Sequence, residues 1–521
     1  MENFGCRAAR ADGEALSDRL RVAGYSAQQA TEADLVIVNT CSVTAEADRA
    51  ARAFVRRAHR LNPEARIVVT GCYAQRAPEE LAALAGVAAV VGNSHKALAP
   101  QIALSLMELR APLAGSGLIQ ISAAQAPPQM GNGLLEILAA QAASAPPQVG
   151  DGPHGILAAQ AALAPPQVVV WADDRFAHSF LEEAQLAPGV QTRPNLKIQE
   201  GCGNRCSFCV IPFTRGPSKS LPHEVILRQV EGFVAAGGNE LVLSGINLGR
   251  WGCDLSGYAP SDEGRPAPRT LPALVRRILG QTALPRLRLS SIEPMDWDAE
   301  LIALLAEFGG TRLARHAHLP LQSGSDAVLR RMHRRYRPWH YAEKVAALLR
   351  AAGPQLTLGA DVMAGFPGET DAEFEETVAF LRALPFGYLH LFPFSPRPGT
   401  RAWALHVDRP VPASVANERV AVLRALAAEK SKTHRRCFVG REVEAVTLHT
   451  PPQLDRLGRT SAMTENFLPV EVDGRLPANR LVRLRVTGLN QEGILRASSA
   501  SRAETPDAAS FSSVRNIAVA V

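Results

Sequence analysis

A short loop carries three cysteines, Cys202, Cys206 and Cys209, in the spacing C-x3-C-x2-C. A [4Fe–4S] cluster needs four ligands, so three neighbouring thiolates without a fourth leave one iron free to bind a group that is not protein. A structural zinc site would need a fourth ligand, and the nearest candidates, His223 and Cys253, are not in zinc-ligand spacing. The spacing predicts an iron–sulfur cluster that does chemistry at its open iron, with zinc as the alternative.

The surroundings of this loop resemble the radical S-adenosylmethionine (SAM) enzymes. The preceding segment, residues 195–200, alternates as a strand does, so the thiols are predicted to leave a strand end. In the radical SAM family the amine and carboxylate of SAM chelate the open iron, and the reduced cluster cleaves SAM to a 5′-deoxyadenosyl radical. The resemblance implies that Cys202, Cys206 and Cys209 are the catalytic cluster ligands.

Three more cysteines, Cys6, Cys41 and Cys72, lie in the first quarter of the chain. Cys41 and Cys72 each follow an apolar run typical of a buried strand, and residues 45–61 between those runs have a helical pattern. Ligands gather at the carboxyl ends of strands in open parallel sheets, so these thiols can converge on a second cluster. For any one of them alone, the alternative is a buried cysteine that acts as a small apolar residue.

Five segments resemble the motifs of the methylthiotransferases, in that family's order. They are NTCSVT at 39–44, VTGCYAQ at 69–75, the Cys202 loop, HLPLQSGS at 318–325 and DVMAGFPGET at 361–370. The resemblance covers roughly residues 1–110 and 190–500. The segments around Cys41 and Cys72 are most similar to the MtaB branch, whose substrate is N6-threonylcarbamoyladenosine at position 37 of tRNA.

The resemblance implies an enzyme that methylthiolates C2 of that nucleoside with SAM and two [4Fe–4S] clusters. Cys202, Cys206 and Cys209 would hold the cluster that generates the radical, and Cys6, Cys41 and Cys72 the cluster that delivers a methylated sulfur. Gly237 and Gly238 would contact SAM through the backbone, with a simple turn as the alternative. The further residues expected at SAM from their place at strand ends are Gly245, Gln322 and Asp361.

Other functions remain open on the sequence alone. Sister branches of the family methylthiolate isopentenyladenosine at the same tRNA position, or an aspartate of a ribosomal protein. A different class is a non-catalytic iron–sulfur electron carrier or an RNA-binding scaffold. The basic carboxyl-terminal module favours RNA over a protein substrate.

The composition is that of a globular protein with a mildly basic surface. The chain has 521 residues, a net charge of +6 and 46% hydrophobic residues, which predicts several domains and favours a polyanionic partner such as tRNA. It shows neither a signal segment nor an apolar run of membrane-spanning length, so we expect a cytoplasmic monomer without a membrane partner. Its eight cysteines then favour metal or redox use, with Cys253 and Cys437 incidental. A low-potential donor such as flavodoxin or ferredoxin is expected to supply electrons.

The predicted fold class is α/β: an N-terminal open parallel sheet, a central radical SAM partial TIM-like barrel and a small C-terminal β-barrel. Strands alternating with helical patterns predict the partial barrel, whose chemistry lies at the strand carboxyl ends. Pro-Pro-Gln recurs at 127, 146 and 165, so the segment between the first two domains is predicted to be a low-complexity insertion without a packed core. The expected boundaries are 1–112, 113–172 for the insertion, 190–432, 433–500 and a tail at 501–521.

The last module resembles the TRAM domain, an RNA-binding β-barrel. Arg483 and Arg485 alternate along a predicted strand and would therefore share one face, which suits contacts with phosphates. A solvated barrel face is the alternative. The basic run at 330–337 can likewise meet RNA or form a solvated helix face.

Overall fold

The computed structural model describes residues 2–3, 7–108, 118–121, 168–174, 176, 192–255 and 269–499. Within these residues the chain forms an N-terminal parallel sheet, a curved central wall of strands and a C-terminal closed β-barrel, which confirms the predicted fold class. Cys6, the Pro-Pro-Gln repeats and the tail at 501–521 lie outside the described residues. In the part of the chain that is described, no helix is long and apolar enough to cross a membrane.

The N-terminal sheet has apolar cores on both of its faces. Val38 and Val55 belong to the core on one face, and Ile37 and Ile102 to the core on the other. Strands covered by helices on both sides must be apolar throughout, which explains the unbroken runs before Cys41 and Cys72. Among the described residues the parallel order is β1-β2-β3-β4-β6-β5. The elements are β1 (Glu2–Asn3), α1 (Arg7–Val22), β2 (Leu35–Thr40), α2 (Ala45–Leu61), β3 (Arg66–Gly71), α3 (Cys72–Arg76), α4 (Pro78–Ala82), β4 (Val87–Gly92), α5 (Ala99–Glu108), β5 (Leu118–Ile121) and β6 (Val168–Trp171).

Strands β5 and β6 come from the segment where no packed core was expected. β6 pairs with β4 in register Ala89↔Val169, and Trp171 is fully buried. Four consecutive apolar residues at 168–171 directly follow the last repeat, and this short run was the available signal. The N-terminal domain therefore extends beyond the expected boundary at residue 112.

The central domain is a curved wall of strands with helices on its outer side, as a partial TIM-like barrel requires. Two groups of strands, β8-β7-β9-β10 and β11-β12-β13, are joined by a bridge between Leu287 and Leu313 and by a hydrogen bond from Ile292 N to His318 O (3.0 Å). All pairings except β7 with β8 are parallel. The elements are β7 (Asn195–Glu200), α6 (Ile211–Arg215), β8 (Lys219–Ser220), α7 (His223–Ala235), β9 (Glu240–Gly245), α8 (Leu271–Gln281), β10 (Arg286–Leu289), α9 (Ala299–Phe308), β11 (His316–His318), α10 (Asp326–Arg331), α11 (Pro338–Ala352), β12 (Thr357–Ala364), α12 (Asp371–Ala383), β13 (Phe386–Pro393), α13 (Arg401–Asp408) and α14 (Ala413–Arg436).

The C-terminal barrel packs against the amino ends of the central strands. Asn239, just before β9, donates to the carbonyl oxygen of Asn479 (2.8 Å), and Arg315, just before β11, donates to Glu465 (2.8 Å). The barrel is closed in the order β14-β15-β16-β18-β17 within the described chain. Its elements are β14 (Glu442–Thr447), α15 (Pro452–Arg456), β15 (Arg459–Thr464), β16 (Pro469–Asp473), β17 (Leu481–Leu489) and β18 (Leu495–Ser499).

A buried ion network lies inside the central wall of strands, near their amino ends. Glu240 Oε1 accepts hydrogen bonds from Arg193 (2.7 Å) and Arg288 (2.8 Å), and Oε2 accepts one from Arg286 (3.3 Å). Burial alone would raise the pKa of Glu240, but the three guanidinium groups outweigh burial and hold it well below its usual range. Arg286 also pairs with Glu444, so the network joins the central wall to the C-terminal barrel.

We expect Glu240→Gln to lower the free energy of unfolding by roughly 3–5 kcal/mol, because it leaves buried guanidinium groups without their anion. The matched control is Glu307→Gln, whose pair with Arg276 has side chains 49% and 57% exposed. Such a surface pair contributes only about 0–1 kcal/mol. Chemical denaturation at pH 7 measures both losses, and equal losses in the two variants would contradict a buried network.

The same network predicts how stability depends on pH. The folded-state pKa of Glu240 is lowered, so its contribution is present above the unfolded value of 4.5 and is lost as pH falls toward the folded value. The difference in stability between wild type and Glu240→Gln should therefore shrink progressively below that pH.

Candidate active site at the strand ends

The loop with three cysteines leaves the carboxyl end of β7 through a tight turn at Gly201. Gly201 has a φ of +69°, and a Cβ there would lie 2.0 Å from the carbonyl oxygen of Pro217, so only glycine fits. The backbone N–H of Cys209 donates to the carbonyl oxygen of Cys206 (3.2 Å), which folds the loop back on itself. All three cysteines of the loop are free thiols and partly exposed, so they are available as ligands.

Gln199 fastens this loop to the end of the neighbouring strand β9. Its Nε2 donates to the carbonyl oxygen of Gly201 (2.9 Å), and its Oε1 accepts from the backbone N–H of Asn247 (2.7 Å). Asn247 Nδ2 in turn contacts Cys202 Sγ at 3.5 Å. A Cβ at Gly245 would lie 2.9 Å from the side chain of Gln199, so Gly245 lies close beside this residue. A SAM contact for Gly245 stays a prediction.

The thiols lie in an environment that combines burial with a nearby positive charge. Burial raises the pKa of Cys202, and it raises that of Cys209 to about 12, so binding of a metal must displace these protons. Arg334 is buried, donates to Cys206 Sγ (3.3 Å) and also pairs with Glu293. Three clustered thiols beside a guanidinium fit an iron–sulfur cluster, whose thiolate ligands are negatively charged.

Cys41 and Cys72 lie side by side at the carboxyl edge of the N-terminal sheet. The residues just before them, Thr40 and Gly71, are paired in register on adjacent strands, which are about 4.8 Å apart. Gly71 has a φ of +99°, and a Cβ there would lie 2.3 Å from the carbonyl oxygen of Thr40. Both thiols are buried. The predicted third partner, Cys6, lies outside the described residues, so its place in the site stays a prediction.

Arg215 connects Cys72 of the N-terminal domain to the central domain. Its Nε donates to Cys72 Sγ at 3.2 Å, although the two residues belong to different domains. Arg215 also belongs to a buried group of three cations and two carboxylates, which we call the interface charge cluster: Lys96, Lys197, Arg215, Asp12 and Glu200.

The charges of this cluster bear on the kind of group that Cys72 can hold. Burial alone would raise the pKa of Glu200, but the cations, Arg215 foremost, hold it well below its usual value, and Asp12 is lowered likewise. With both carboxylates ionised, three buried cations face two anions. Arg215 brings its positive charge into contact with Cys72 Sγ, so the residues present fit a negatively charged, metal-bound thiolate at this position.

Gln322 and Asp361 also lie on the interior side of the central wall of strands. Gln322 has a φ of +69°, donates its backbone N–H to the carbonyl oxygen of Asp361 (2.8 Å) and leaves its buried Oε1 without a hydrogen-bond partner in the described part of the chain. Asp361 Oδ1 lies 3.2 Å from His318 Nε2 and 3.2 Å from His390 Nδ1. A SAM contact for Gln322 and Asp361 stays a prediction.

The structure does not bring Gly237 and Gly238 to this site. They form the turn that ends α7 and precedes β9, and the carbonyl oxygen of Gly237 accepts from Asn479 of the C-terminal barrel (2.9 Å). A six-residue strand spans roughly 20 Å, so the turn at its amino end is remote from the thiols at its carboxyl end. In the structure Gly237 and Gly238 therefore form a simple turn, which was the alternative interpretation, and lie away from the site where a SAM contact was expected.

The basic segments have mixed roles. Arg483 and Arg485 are exposed on one face of β17, as predicted, although Arg485 pairs with Glu442 (3.5 Å). In the basic run at 330–337, Arg331 pairs with Glu373 (2.7 Å). The arginines of this run therefore support the fold and the thiol loop more than they form a free basic face.

Sequence reasoning missed the side chains that contact the thiols. Each of these side chains is distant in sequence from the cysteine that it contacts: Arg215 from Cys72, Arg334 from Cys206 and Asn247 from Cys202. Arg215 closely follows the Cys202 loop, yet it contacts Cys72. No local pattern marks such residues. The available signal was an arginine or asparagine directly after a predicted strand or motif.

Comparison with known proteins gives two family matches. An uncharacterized protein family, UPF0004, matches residues 1–92, which include Cys6, Cys41 and Cys72. The Radical SAM superfamily matches residues 196–381, which include the Cys202 loop. The two matches therefore divide the cysteines as the fold does.

Individual relatives match along nearly the whole chain. The threonylcarbamoyladenosine tRNA methylthiotransferase MtaB of Bacillus subtilis is 31% identical over 475 residues, which cover 91% of this chain and 90% of the relative. The tRNA-2-methylthio-N(6)-dimethylallyladenosine synthase of Cereibacter sphaeroides is 30% identical, covering 94% and 95%. Among solved structures, the radical S-adenosylmethionine methyltransferase TsrM of Kitasatospora setae has a TM-score of 0.47 at 18% identity, covering 75% of this chain and 70% of that one.

We expect Arg334→Gln to make a cluster on the Cys202 loop harder to reduce. The guanidinium that contacts Cys206 stabilises added negative charge, and a hydrogen bond to a charged group contributes roughly 1.5–3 kcal/mol. Redox titration followed by electron paramagnetic resonance, in a Cys72→Ala background that isolates this cluster, should show a more negative midpoint potential. Arg330→Gln is the control, since Arg330 pairs with Asp326 at the surface. An unchanged potential in Arg334→Gln would refute the role.

Proposed function

The chain belongs to the radical SAM tRNA methylthiotransferase family, and from this we propose that it methylthiolates C2 of N6-threonylcarbamoyladenosine at position 37 of tRNA. The single observation that carries the proposal is the meeting of two thiol loops across one domain interface, where Arg215 of the radical SAM domain contacts Cys72 of the N-terminal domain. One set of thiols can bind the cofactor that generates a radical, and the other can bind the sulfur to be transferred.

The chemistry of the target explains why such an apparatus is needed. Adenine C2 carries an unactivated C–H bond, which neither an acid–base pair nor a simple nucleophile can replace with C–S under mild conditions. Two [4Fe–4S] clusters and SAM, when bound, supply the radical, the methyl group and the redox chemistry. The protein holds these groups and the target base within reach of one another and excludes water.

The residues divide these tasks between the domains. Cys202, Cys206 and Cys209 would hold the SAM-binding cluster, with Arg334 on one thiol and Asn247 on another. Cys6, Cys41 and Cys72 would hold the second cluster. Gly245, Gln322 and Asp361 are the residues proposed to line the SAM pocket; the buried Oε1 of Gln322 offers an acceptor to a ligand donor.

The choice of nucleoside rests on the relatives. The Bacillus subtilis relative is named for threonylcarbamoyladenosine, but a relative named for dimethylallyladenosine is almost equally identical. Methylthiolation of isopentenyladenosine at position 37 is therefore the second candidate. The basic C-terminal barrel favours RNA over a ribosomal-protein aspartate.

The proposed function also sets the partners and the compartment. tRNA is the substrate, and a low-potential donor such as flavodoxin or ferredoxin would supply electrons. A cytoplasmic location follows from a tRNA substrate and from thiols that must remain reduced. We propose a monomer, because one chain supplies residues from both domains to the site.

Mass spectrometry of tRNA nucleosides tests the function directly. In a strain that lacks this gene, 2-methylthio-N6-threonylcarbamoyladenosine should be absent, its unthiolated precursor should accumulate, and restoring the gene should reverse both. Loss of the dimethylallyl product instead would select the second candidate. Unchanged tRNA would refute both.

Two cysteine variants test the division of labour between the thiol loops. Cys206→Ala should abolish reductive cleavage of SAM, because it removes a ligand of the SAM-binding cluster. Cys72→Ala should retain part of the cleavage but form no methylthio product. Chromatographic measurement of 5′-deoxyadenosine and of the product nucleoside distinguishes the two. Equal loss of cleavage in both variants would contradict this division.

A further inference from the structure

Three polar side chains on adjacent central strands form a cluster that the functions above leave largely unexplained. His318, Asp361 and His390 each present one nitrogen or oxygen atom, and these atoms lie within 4.8 Å of one another. Strand pairing places them together, since Asp361 is in register with His390, and His318 with Gly359 on the same face. We call this set the His–Asp–His cluster.

The His–Asp–His cluster faces the interior side of the central wall of strands. The neighbours of Asp361 on β12, Ala360 and Val362, belong to the apolar core beneath the outer helices. Because successive side chains of a strand point to opposite faces, Asp361 points inward. The same argument applies to His318, which lies between Ala317 and Leu319 of that core.

The hydrogen bonds assign a direction to each ring. His390 Nδ1 donates to Asp361 Oδ1 (3.2 Å), whereas His318 Nε2 lies 3.2 Å from the same oxygen without making a hydrogen bond in the described residues. Burial alone would raise the pKa of this carboxyl, but the two imidazoles outweigh burial and lower it well below its usual range. His318 Nδ1 shares a hydrogen bond with the Tyr388 hydroxyl (2.9 Å), which holds this ring beside Asp361. His390 likewise uses Nδ1 for Asp361, which leaves Nε2 pointing away from the carboxylate.

The interior of the central wall of strands is closed on the amino-terminal side of the His–Asp–His cluster and open at His390. Phe467 of the C-terminal barrel packs against His316 (4.6 Å between ring centroids) and Tyr388 (5.7 Å), which forms a floor. By contrast the side chain of His390 is 59% exposed, and within the described residues its Nε2 has no hydrogen-bond partner. His390 Nε2 is therefore available to a ligand.

The strand that carries His390 leads into a chain segment that contacts both thiol loops. His390 is three residues before Pro393, the last residue of β13, so it lies roughly 10 Å from the carboxyl end of that strand. The chain beyond β13 reaches the N-terminal domain, where Ser395 accepts from the backbone N–H of Ala45 (3.0 Å), close to Cys41. On the other side, Ser207 of the Cys202 loop accepts from Ala402 N (2.8 Å).

We propose that His390, oriented by Asp361 and His318, binds the polar substituent on N6 of the target adenine. This inference rests on the proposed function and names its specificity residue. Imidazole Nε2 accepts from a hydroxyl when neutral and donates to a carboxylate when protonated, and a threonylcarbamoyl group carries both. A dimethylallyl group offers neither, and a site built to hydrogen-bond a substrate group discriminates strongly against an analogue that lacks it.

The test compares two variants that each preserve one nitrogen of His390. Asn places its amide near the position of Nδ1 and keeps the contact with Asp361, whereas Gln extends to the position of Nε2. Anticodon stem–loop RNAs carry threonylcarbamoyladenosine, dimethylallyladenosine or adenosine at position 37. Fluorescence anisotropy measures their Kd with the reconstituted full-length enzyme. Wild type should prefer the threonylcarbamoyl RNA over the dimethylallyl RNA, and His390→Asn should reduce this preference about 10-fold to 100-fold, while His390→Gln keeps most of it.

The outcomes separate this inference from the proposed function. An unchanged preference in His390→Asn, or equal losses in Asn and Gln, would overturn the inference even if wild type thiolates the threonylcarbamoyl RNA. If wild type forms no product but binds with the expected preference, the proposed function fails and the role of His390 in binding stands. Co²⁺ absorption in the cluster-loaded wild type that disappears in His390→Asn would assign the three residues to a cation instead.

Discussion

The buried charges between the N-terminal and central domains are the constraint on which the site depends. Ionised groups out of water are costly unless they are paired, so Asp12, Glu200 and the three cations can be buried only when the two domains are in contact. Arg215 extends this cluster to Cys72. Docking of the two domains therefore also places the charge of Arg215 beside Cys72. It fixes the Cys202 loop relative to Cys41 and Cys72.

Much of this site follows from the sequence because it obeys a local rule. Cysteines directly after apolar strands mark the carboxyl edge of parallel sheets, and Cys41, Cys72 and Cys202 lie there as expected. Gly237 and Gly238 failed because a glycine pair has the same appearance at either end of a strand. Arg215 and Arg334 could not be identified, because which thiol they contact is decided by packing between distant segments. The strand at 168–171 was obscured by the repeat before it.

The central strands also separate two kinds of surface. The C-terminal barrel contacts their amino ends through residues such as Asn239 and Arg315, whereas the thiols lie at their carboxyl ends. An eight-residue strand such as β12 spans roughly 26 Å, so a partner that contacts both surfaces must be at least that long. A folded RNA stem and loop meets this requirement and a free nucleoside does not, which agrees with the tRNA substrate proposed above.

Both thiol loops reach the interface by the same construction. In each, a glycine with positive φ directly precedes a cysteine, Gly71 before Cys72 and Gly201 before Cys202, where a Cβ would collide with a carbonyl oxygen. In each, a buried arginine donates to a thiol. The sharp turn keeps the thiols close to the strand end, and the arginine offsets the charge that thiolate ligands acquire when they bind metal. Both sheets therefore present a thiol together with a guanidinium, so each site can take up negative charge without leaving a buried anion unpaired.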